Sequence, residues 1–299
     1  MEMKVCEILR ANHLLGEGLF YEDQTGKLWG VDIEGKKIWS LDLLTSSYCE
    51  YPTSEKVGWC FPTSNSELRI FGENHCVKMT NLLDAYSKEL CMRIPGLNGM
   101  LRLNDAKTDS RGRIWMGSMS EESECEAKGA LYCINNSGDL LVKDEGYEIA
   151  NGPAINLDET MMLHTDSSQG LIYQFDFNSL AGEITNKRIW LKVDPRDGSP
   201  DGMCFDDAGF VWVAHWGAGK VVKYHGDGKE IESIAIPASQ VSNVCFGGEN
   251  LERLFVTTAR VGLSNEQLQN EPAAGSIFEI TGHHSRGIKS FPAAITFHE

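Results

Sequence analysis

Apolar residues along the chain fall in short stretches that follow polar turns, and long stretches with helical periodicity are missing. Six times, a turn rich in Asp, Gly, Asn or Ser leads into a short apolar segment that is typical of a β-strand. With one anchor residue per copy, at 29, 69, 115, 163, 212 and 255, the intervals are 40, 46, 48, 49 and 43 residues. This spacing indicates an internal repeat.

A second motif follows the first in each copy: a Gly or Asn, one further residue, and two apolar residues. Its copies lie at 35–39, 74–77, 129–132, 170–173, 219–222 and 275–278. A period of about 40 to 50 residues with short strands is typical of propeller blades. We therefore predict an all-β fold, a six-bladed β-propeller with four-stranded antiparallel blades, as a single domain over residues 1–299.

The alternative is a protein of two β-sandwich domains. Sandwiches show regular strand spacing, but they do not require two motifs that keep the same register through six copies. Residues 80–90 fit either a helix or a strand pair in the weakest repeat, so they do not separate the two folds.

The charge of the chain excludes some partners. Its 27 Lys and Arg against 43 Asp and Glu give 27 − 43 = −16. Proteins that bind nucleic acid need a basic patch to displace counterions, and here the basic residues are scattered. The same charge argues against an anionic membrane surface. We expect a small-molecule ligand, and a chain that is a monomer or a weak homodimer.

The remaining composition indicates a soluble protein of the cytoplasm. The N-terminal residues lack the apolar run of a signal peptide, and no segment is long and apolar enough to cross a bilayer. Nine dispersed cysteines without a Cys-x-x-Cys pair fit reduced thiols. The usual motifs of serine hydrolases, zinc proteases and nucleotide-binding proteins are absent.

Four polar residues recur at one phase of the repeat. Glu17, Asn104, Asn151 and Asp201 precede their anchors by 29 − 17 = 12, 115 − 104 = 11, 163 − 151 = 12 and 212 − 201 = 11 residues. Residues that lie at the same distance from the anchor in different blades are expected at equivalent positions around the central channel. Taken singly, each also fits a solvated loop acid or an ordinary turn residue.

Together these side chains form a set of oxygen donors. Such donors suit hard cations such as Ca²⁺, Mg²⁺ or Mn²⁺, and with open positions they also take Zn²⁺ or Fe²⁺. A dication held by two carboxylates can polarise a carbonyl group and acidify bound water. The set therefore indicates hydrolase chemistry that depends on one divalent metal ion.

Five motifs occur in register along the chain: Leu-Gly-Glu17-Gly, Arg102-Leu-Asn104-Asp105, Asn151-Gly-Pro, Pro200-Asp201-Gly, and Cys-Phe-Gly-Gly248 with Phe255-Val-Thr-Thr-Ala259. Their order and spacing resemble the regucalcin/gluconolactonase (senescence marker protein-like) family of metal-dependent sugar lactonases, and this resemblance implies a six-bladed propeller as well. The family usually has Pro where this chain has Leu19.

The resemblance implies roles for individual residues. Glu17, Asn151 and Asp201 correspond to the metal ligands, and Asp201 also to the general base. Arg102 and Asn104 correspond to groups that hold the substrate. Glu122 matches by position a substrate-contacting residue of the animal members.

The segments 164–166, 212–217 and 257–264 resemble the bacterial branch that includes xylono- and arabinolactonases. His164 and His215 in these segments fit either satisfied core or channel histidines or a role at the metal.

The sequence thus predicts metal-dependent hydrolysis of an aldonolactone. A related phosphotriesterase or esterase, and a non-catalytic calcium-binding propeller, are the alternatives.

Overall fold

Strands of four to ten residues are joined by short polar turns along most of the chain. Short turns connect antiparallel neighbours, so consecutive strands pair into meandering sheets. The computed structural model describes residues 2–84, 86–97, 100–121 and 128–297. Within these residues it has six sheets, which we call blades, each of four antiparallel strands.

Blades one to three follow each other along the first half of the chain, and each begins with its innermost strand. Their strands are, in blade one, β2 (Gly16–Glu22), β3 (Lys27–Asp32), β4 (Lys37–Asp42) and β5 (Tyr48–Pro52); in blade two, β6 (Val57–Pro62), β7 (Arg69–Glu73), β8 (Cys76–Thr80) and β9 (Leu90–Arg93); and in blade three, β10 (Leu101–Thr108), β11 (Ile114–Ser120), β12 (Gly129–Ile134) and β13 (Leu140–Tyr147).

Blades four to six continue this order, except that the outermost strand of blade six comes from the N-terminus. Their strands are, in blade four, β14 (Ala150–Ile155), β15 (Met161–Asp166), β16 (Leu171–Asn178) and β17 (Glu183–Lys192); in blade five, β18 (Ser199–Phe205), β19 (Val211–Trp216), β20 (Lys220–Tyr224) and β21 (Glu230–Ala235); and in blade six, β22 (Val241–Gly247), β23 (Arg253–Thr258), β24 (Ile277–Thr281) and β1 (Lys4–Leu9).

The innermost strands of neighbouring blades contact each other all the way round, from β2 through β22 and back to β2. The predicted six-bladed β-propeller is therefore confirmed. Each anchor residue of the sequence repeat lies in the second strand of its blade, and each copy of the second motif runs into or lies within the third strand. Residue 80 ends β8 and residue 90 begins β9, and the described residues between them form turns and loop. The segment is therefore the connection between two paired strands, and both the helix and the strand pair expected within it were wrong for its described part.

Tryptophans tie the innermost strands to their neighbours in alternate blades. The indole N–H of Trp29 donates to Glu22, that of Trp115 to Asp109, and that of Trp212 to Asp206, over 2.9, 2.9 and 3.2 Å. In each case the acid lies at the end of the innermost strand or just beyond it. These bonds fix the turn to the second strand, which explains the acidic turn and apolar anchor that recur in the sequence.

All six innermost strands have a register shift in their pairing with the second strand. It follows Glu17, Val57, Leu103, Asn151, Pro200 and Val241. An extra residue at such a bulge bends the strand and redirects its side chains. The bulges lie near the start of each innermost strand, so they bring side chains of six blades toward the same end of the channel.

Residues beyond β24 lie across the other end of the channel. There Gly287 bridges to Asp206 and Ala293 to Thr63, and the hydroxyl of Thr108 donates to Phe291 O. The remaining regular elements are a 3₁₀ turn, Pro195–Asp197, and the short helix α1, Asn265–Asn270. No helix in the described part of the chain is both long and apolar enough to cross a membrane.

The pairing of β1 with blade six predicts that substitutions on the two faces of β1 change the free energy of unfolding by different amounts. Val5 packs on the apolar core of blade six, whereas Cys6 is exposed. Val5→Asp would bury a charge and should lower the free energy of unfolding by about 2 kcal/mol. Cys6→Asp places the same charge in water and should change it by less than about 0.5 kcal/mol. Urea unfolding followed by tryptophan fluorescence measures both, and equal losses would contradict the pairing of β1 with blade six.

Candidate metal centre in the channel

Four of the innermost strands carry a polar side chain five residues before the residue that starts the next turn. The pairs are Glu17 with Glu22, Asn104 with Asp109, Asn151 with Asn156, and Asp201 with Asp206. Counting back in the same way from Thr63 and Gly248, at the turns of blades two and six, gives Gly58 and Asn243. Five polar side chains and one glycine thus occupy the six equivalent positions.

Glu17 is 5% exposed and lies among other acids. Its Oε2 accepts from the backbone N of Gly18 at 2.9 Å and from Asn243 Nδ2 at 2.7 Å. Burial, and then repulsion by Asp105, raise the pKa of Glu17 to about 8 despite these bonds. The carboxyl group therefore favours a proton or a cation beside it.

Asp201 belongs to the same acidic group. It is buried, and its Oδ1 has no hydrogen-bond partner. Burial, followed by repulsion from Glu17 and Asp105, raises the pKa of Asp201 well above its usual value. A buried carboxylate oxygen without a donor is costly, so this oxygen is suited to bind a ligand.

A chain of hydrogen bonds orients Asn151. Its Oδ1 accepts from Asn104 Nδ2 at 2.8 Å, and its own Nδ2 donates to Ser167 Oγ at 2.9 Å. Asn104 Oδ1 accepts from Arg102 Nη1 at 2.7 Å, and the Arg102 Nε forms an ion pair with Glu121 over 3.3 Å. Arg102 and Asn104 thus fix the direction of the Asn151 amide group.

Two residues that sequence reasoning missed complete the cluster. Asn243 donates through Nδ2 to Glu17 and, at 3.3 Å, to Asp105 Oδ2, so it joins two carboxylates. Its own Oδ1 has no partner. The repeat spacing carried a signal for Asn243, since 255 − 243 = 12 is the phase of Glu17 and Asn151. Asp105 had no such signal, because only the bulge after Leu103 brings it inward.

These residues fit a divalent cation. Three buried carboxylates lie close enough to raise each other's pKa values or to share a donor, and one of their oxygens lacks a hydrogen bond. Oxygen donors of this kind are preferred by hard cations. Among the residues that the structure describes, no three His, Cys, Asp or Glu side chains form a metal site by themselves. A metal ion at this cluster would therefore need an amide oxygen as well, and Asn151 lines the same cavity as Glu17 and Asp201.

A cavity of about 320 Å³ opens onto this cluster. Its floor includes five polar side chains predicted from the sequence, namely Glu17, Arg102, Asn104, Asn151 and Asp201. The structure brings all five together from blades one, three, four and five. Glu122, the remaining predicted substrate contact, lies outside the described residues.

The two histidines lie outside the acidic cluster. Both ring nitrogens of His215 have hydrogen-bond partners, since Nδ1 is 2.8 Å from Asp197 O and Nε2 is 3.0 Å from the Tyr224 hydroxyl. His164 is fully buried, its ring nearly perpendicular to that of Tyr147, and neither ring nitrogen has a hydrogen-bond partner. Burial lowers the pKa of His164 to about 3, so the ring is neutral. His164 is therefore a core residue whose two ring nitrogens lack hydrogen-bond partners.

The raised pKa values predict opposite pH dependences with and without metal. Burial raises the pKa of Glu17 to about 8 and that of Asp105 to about 6. The folded protein keeps protons that the unfolded chain has already lost, so stability without metal should fall as pH rises from about 4.5 to 8. A divalent cation binds the deprotonated groups, so the stabilisation that it adds should grow over the same range.

Thermal melting with chelator and with added Ca²⁺ or Mn²⁺, at intervals from pH 5 to 8.5, measures both trends. Glu17→Gln removes the carboxyl group whose pKa burial raises to about 8, so it should flatten the pH dependence of the chelated protein. A metal-induced shift that stays constant with pH would contradict the assignment of these carboxyl groups to the site.

Asn243 should support metal binding through the two carboxylates that it joins. Asn243→Ala removes the donor to Glu17 and Asp105, and we expect the metal dissociation constant to rise about 10- to 100-fold. Asn250→Ala, in an exposed turn of the same blade, is the matched control and should leave it unchanged. Isothermal titration calorimetry compares the two, and equal affinities would show that Asn243 has no part in the site.

The chain is similar in sequence to a known protein family and to individual members of it. The sequence model of the SMP-30/gluconolactonase/LRE-like region matches residues 15–260. Regucalcin of Oryctolagus cuniculus is 30% identical over 298 residues, which cover 98% of this chain and 99% of the relative.

Solved structures share the fold along nearly the whole chain. A luciferin-regenerating enzyme superposes with a TM-score of 0.91 at 23% identity, over 98% of this chain and 100% of the other. Regucalcin of Agrobacterium tumefaciens, described as a calcium-binding protein, gives 0.89 at 22% identity, over 97% of each chain. With the family region covering most of the propeller, the chain belongs to the SMP-30/gluconolactonase/LRE-like family.

Proposed function

We propose that this protein is a metal-dependent lactonase that hydrolyses a sugar lactone, an aldonolactone, to the aldonic acid. The observation that carries the proposal is the buried Asp201 Oδ1, which lacks a hydrogen-bond partner and lies in the lining of the cavity beside Glu17 and Asn151. Membership of a family named for gluconolactonase supports the same reaction.

Glu17, Asn151 and Asp201 would hold one divalent ion, either Ca²⁺, Zn²⁺, Mn²⁺, Mg²⁺ or Fe²⁺. When bound, such an ion polarises the lactone carbonyl and offsets the negative charge that develops on its oxygen. The two carboxylates match the charge of a dication, and Asn151 adds a neutral oxygen whose direction Asn104 sets.

Asp201 would act as the general base. As a water molecule attacks the carbonyl carbon, the Asp201 carboxylate takes one of its protons, and the ring C–O bond breaks. The proton then passes to the ring oxygen, which leaves as a hydroxyl group, so that water and lactone give one hydroxy acid. A carboxylate held beside the attacking water can accept its proton as the new C–O bond forms.

Arg102 and Asn104 would position the site and the substrate. Arg102 Nη1 is already bonded to Asn104 and, at 3.0 Å, to Leu103 O, so its first effect is to hold Asn104. Both side chains also line the cavity, where they can meet oxygens of the lactone beside the carbonyl. Glu122 would add a contact of the same kind.

A second candidate function is calcium binding without catalysis. It is favoured by the relatives named regucalcin and by the Agrobacterium protein described as calcium-binding. The same acidic cluster would then stabilise the protein with Ca²⁺ and accelerate no reaction. Turnover of a lactone therefore separates the two functions.

A pH-indicator assay tests the proposal. Chelated protein receives each of the five metals in turn, and a panel of aldonolactones and one aryl phosphotriester is offered. Restored opening of a sugar lactone supports a lactonase, and faster phosphotriester hydrolysis would replace it with a phosphotriesterase. Thermal stabilisation by Ca²⁺ without any turnover would favour the calcium-binding function instead.

Asp201→Asn tests the general base. The fold and much of the metal affinity should remain, because the amide keeps one oxygen, while kcat should fall by about 10²- to 10⁴-fold. Asp207→Asn, at an exposed turn position of the same blade, is the control and should keep full activity. Melting curves with and without metal verify folding, and an active Asp201→Asn enzyme would overturn the assignment.

A further inference from the structure

Apolar side chains form much of the wall above the acidic cluster. The described lining of the cavity includes Leu15, Ile33, Met119, Ile149 and Trp216. Leu15 and Ile149 lie two residues before Glu17 and Asn151, at the open end of the channel. Met119 and Trp216 lie at the same end, near the ends of the second strands β11 and β19. The cavity therefore combines a polar floor with an apolar upper wall.

Most polar groups of the cavity are already bonded to protein atoms. Asn104 Nδ2 donates to Ala150 O and to Asn151, both at 2.8 Å. Ser167 Oγ accepts from Asn151 Nδ2, and the Ser168 hydroxyl donates to Glu148. A substrate with hydroxyl groups along its whole length would leave several of them without partners against the apolar wall, which is costly.

We infer that the lactone carries an apolar group on the side remote from its carbonyl, so that the substrate is a deoxy or alkyl-substituted lactone. The inference rests on the proposed lactonase function and specifies its substrate. The carbonyl and any neighbouring hydroxyl groups face the polar floor, and the substituent contacts Met119 and Trp216.

A matched pair of substrates tests this inference. L-fucono-1,4-lactone and L-galactono-1,4-lactone have the same stereochemistry and differ only in a terminal methyl or hydroxymethyl group. Because an apolar pocket discriminates against one added hydroxyl by about 10- to 100-fold, kcat/KM should favour the deoxy compound by that ratio. In the series γ-butyrolactone, γ-valerolactone and γ-hexalactone, each methylene should raise kcat/KM about fourfold.

Two variants test whether the apolar wall of the cavity causes the preference for the deoxy lactone. Met119→Gln keeps the side-chain size and should narrow the ratio between the two sugar lactones. Leu157→Gln, 56% exposed at the other end of the channel, is the control and should leave the ratio unchanged. If neither sugar lactone is opened, the rates within the γ-alkyl lactone series alone test whether the substrate carries an apolar substituent.

The outcomes separate the two levels of the proposal. Equal rates within each set, or a preference for the hydroxymethyl compound, would overturn the apolar substituent while leaving the lactonase standing. No metal-dependent opening of any lactone would overturn the lactonase itself, and the substrate inference with it.

Discussion

The arrangement of the site depends on the repulsion between carboxylates that are buried together at the propeller axis. Glu17, Asp105 and Asp201 are each 5 to 6% exposed, and Arg102 is the guanidinium whose charge lowers the pKa of both Glu17 and Asp201. Acids in this position cost folding free energy unless a proton or a cation compensates them. They stay together because a closed ring of contacts between the innermost strands fixes the strands that carry them, and β1 joins the N-terminal segment to blade six as its outermost strand.

Amide side chains make this concentration of charge tolerable. Asn243 places its side-chain NH₂ group between two carboxylates, and Asn104 and Asn151 link blades three and four without adding charge. With acids at every channel position the repulsion would grow, and with apolar residues the metal would lack ligands. Two acids and three amides at equivalent positions leave a site whose protein charge a dication can balance.

The repeat pattern was sufficient to predict the six blades and four of the channel residues. Both predictions depend only on the number of residues between repeated motifs, which can be counted in the sequence. Asn243 obeys the same spacing, but its segment Val-Ser-Asn-Val lacks the following glycine that made Asn151 and Asp201 conspicuous. Asp105 lies in one of the motifs of the family resemblance, but its direction toward the cluster could not be predicted, since a bulge decides it. The unpaired state of His164 likewise depends on packing between strands, which no local pattern describes.

Gly58 shows why the sixth position carries no side chain. A Cβ atom there would lie 2.1 Å from the backbone oxygen of Asn104, and a Cβ on Gly18 would lie 2.8 Å from the backbone oxygen of Gly58. Blades one, two and three therefore approach each other through backbone at this level of the channel. The close approach positions Asn104, which in turn orients Asn151, so a glycine without chemistry of its own helps to set the direction of a proposed metal ligand. The site is consequently asymmetric, with its oxygens supplied from blades one, four and five and its amide donors from blades three and six.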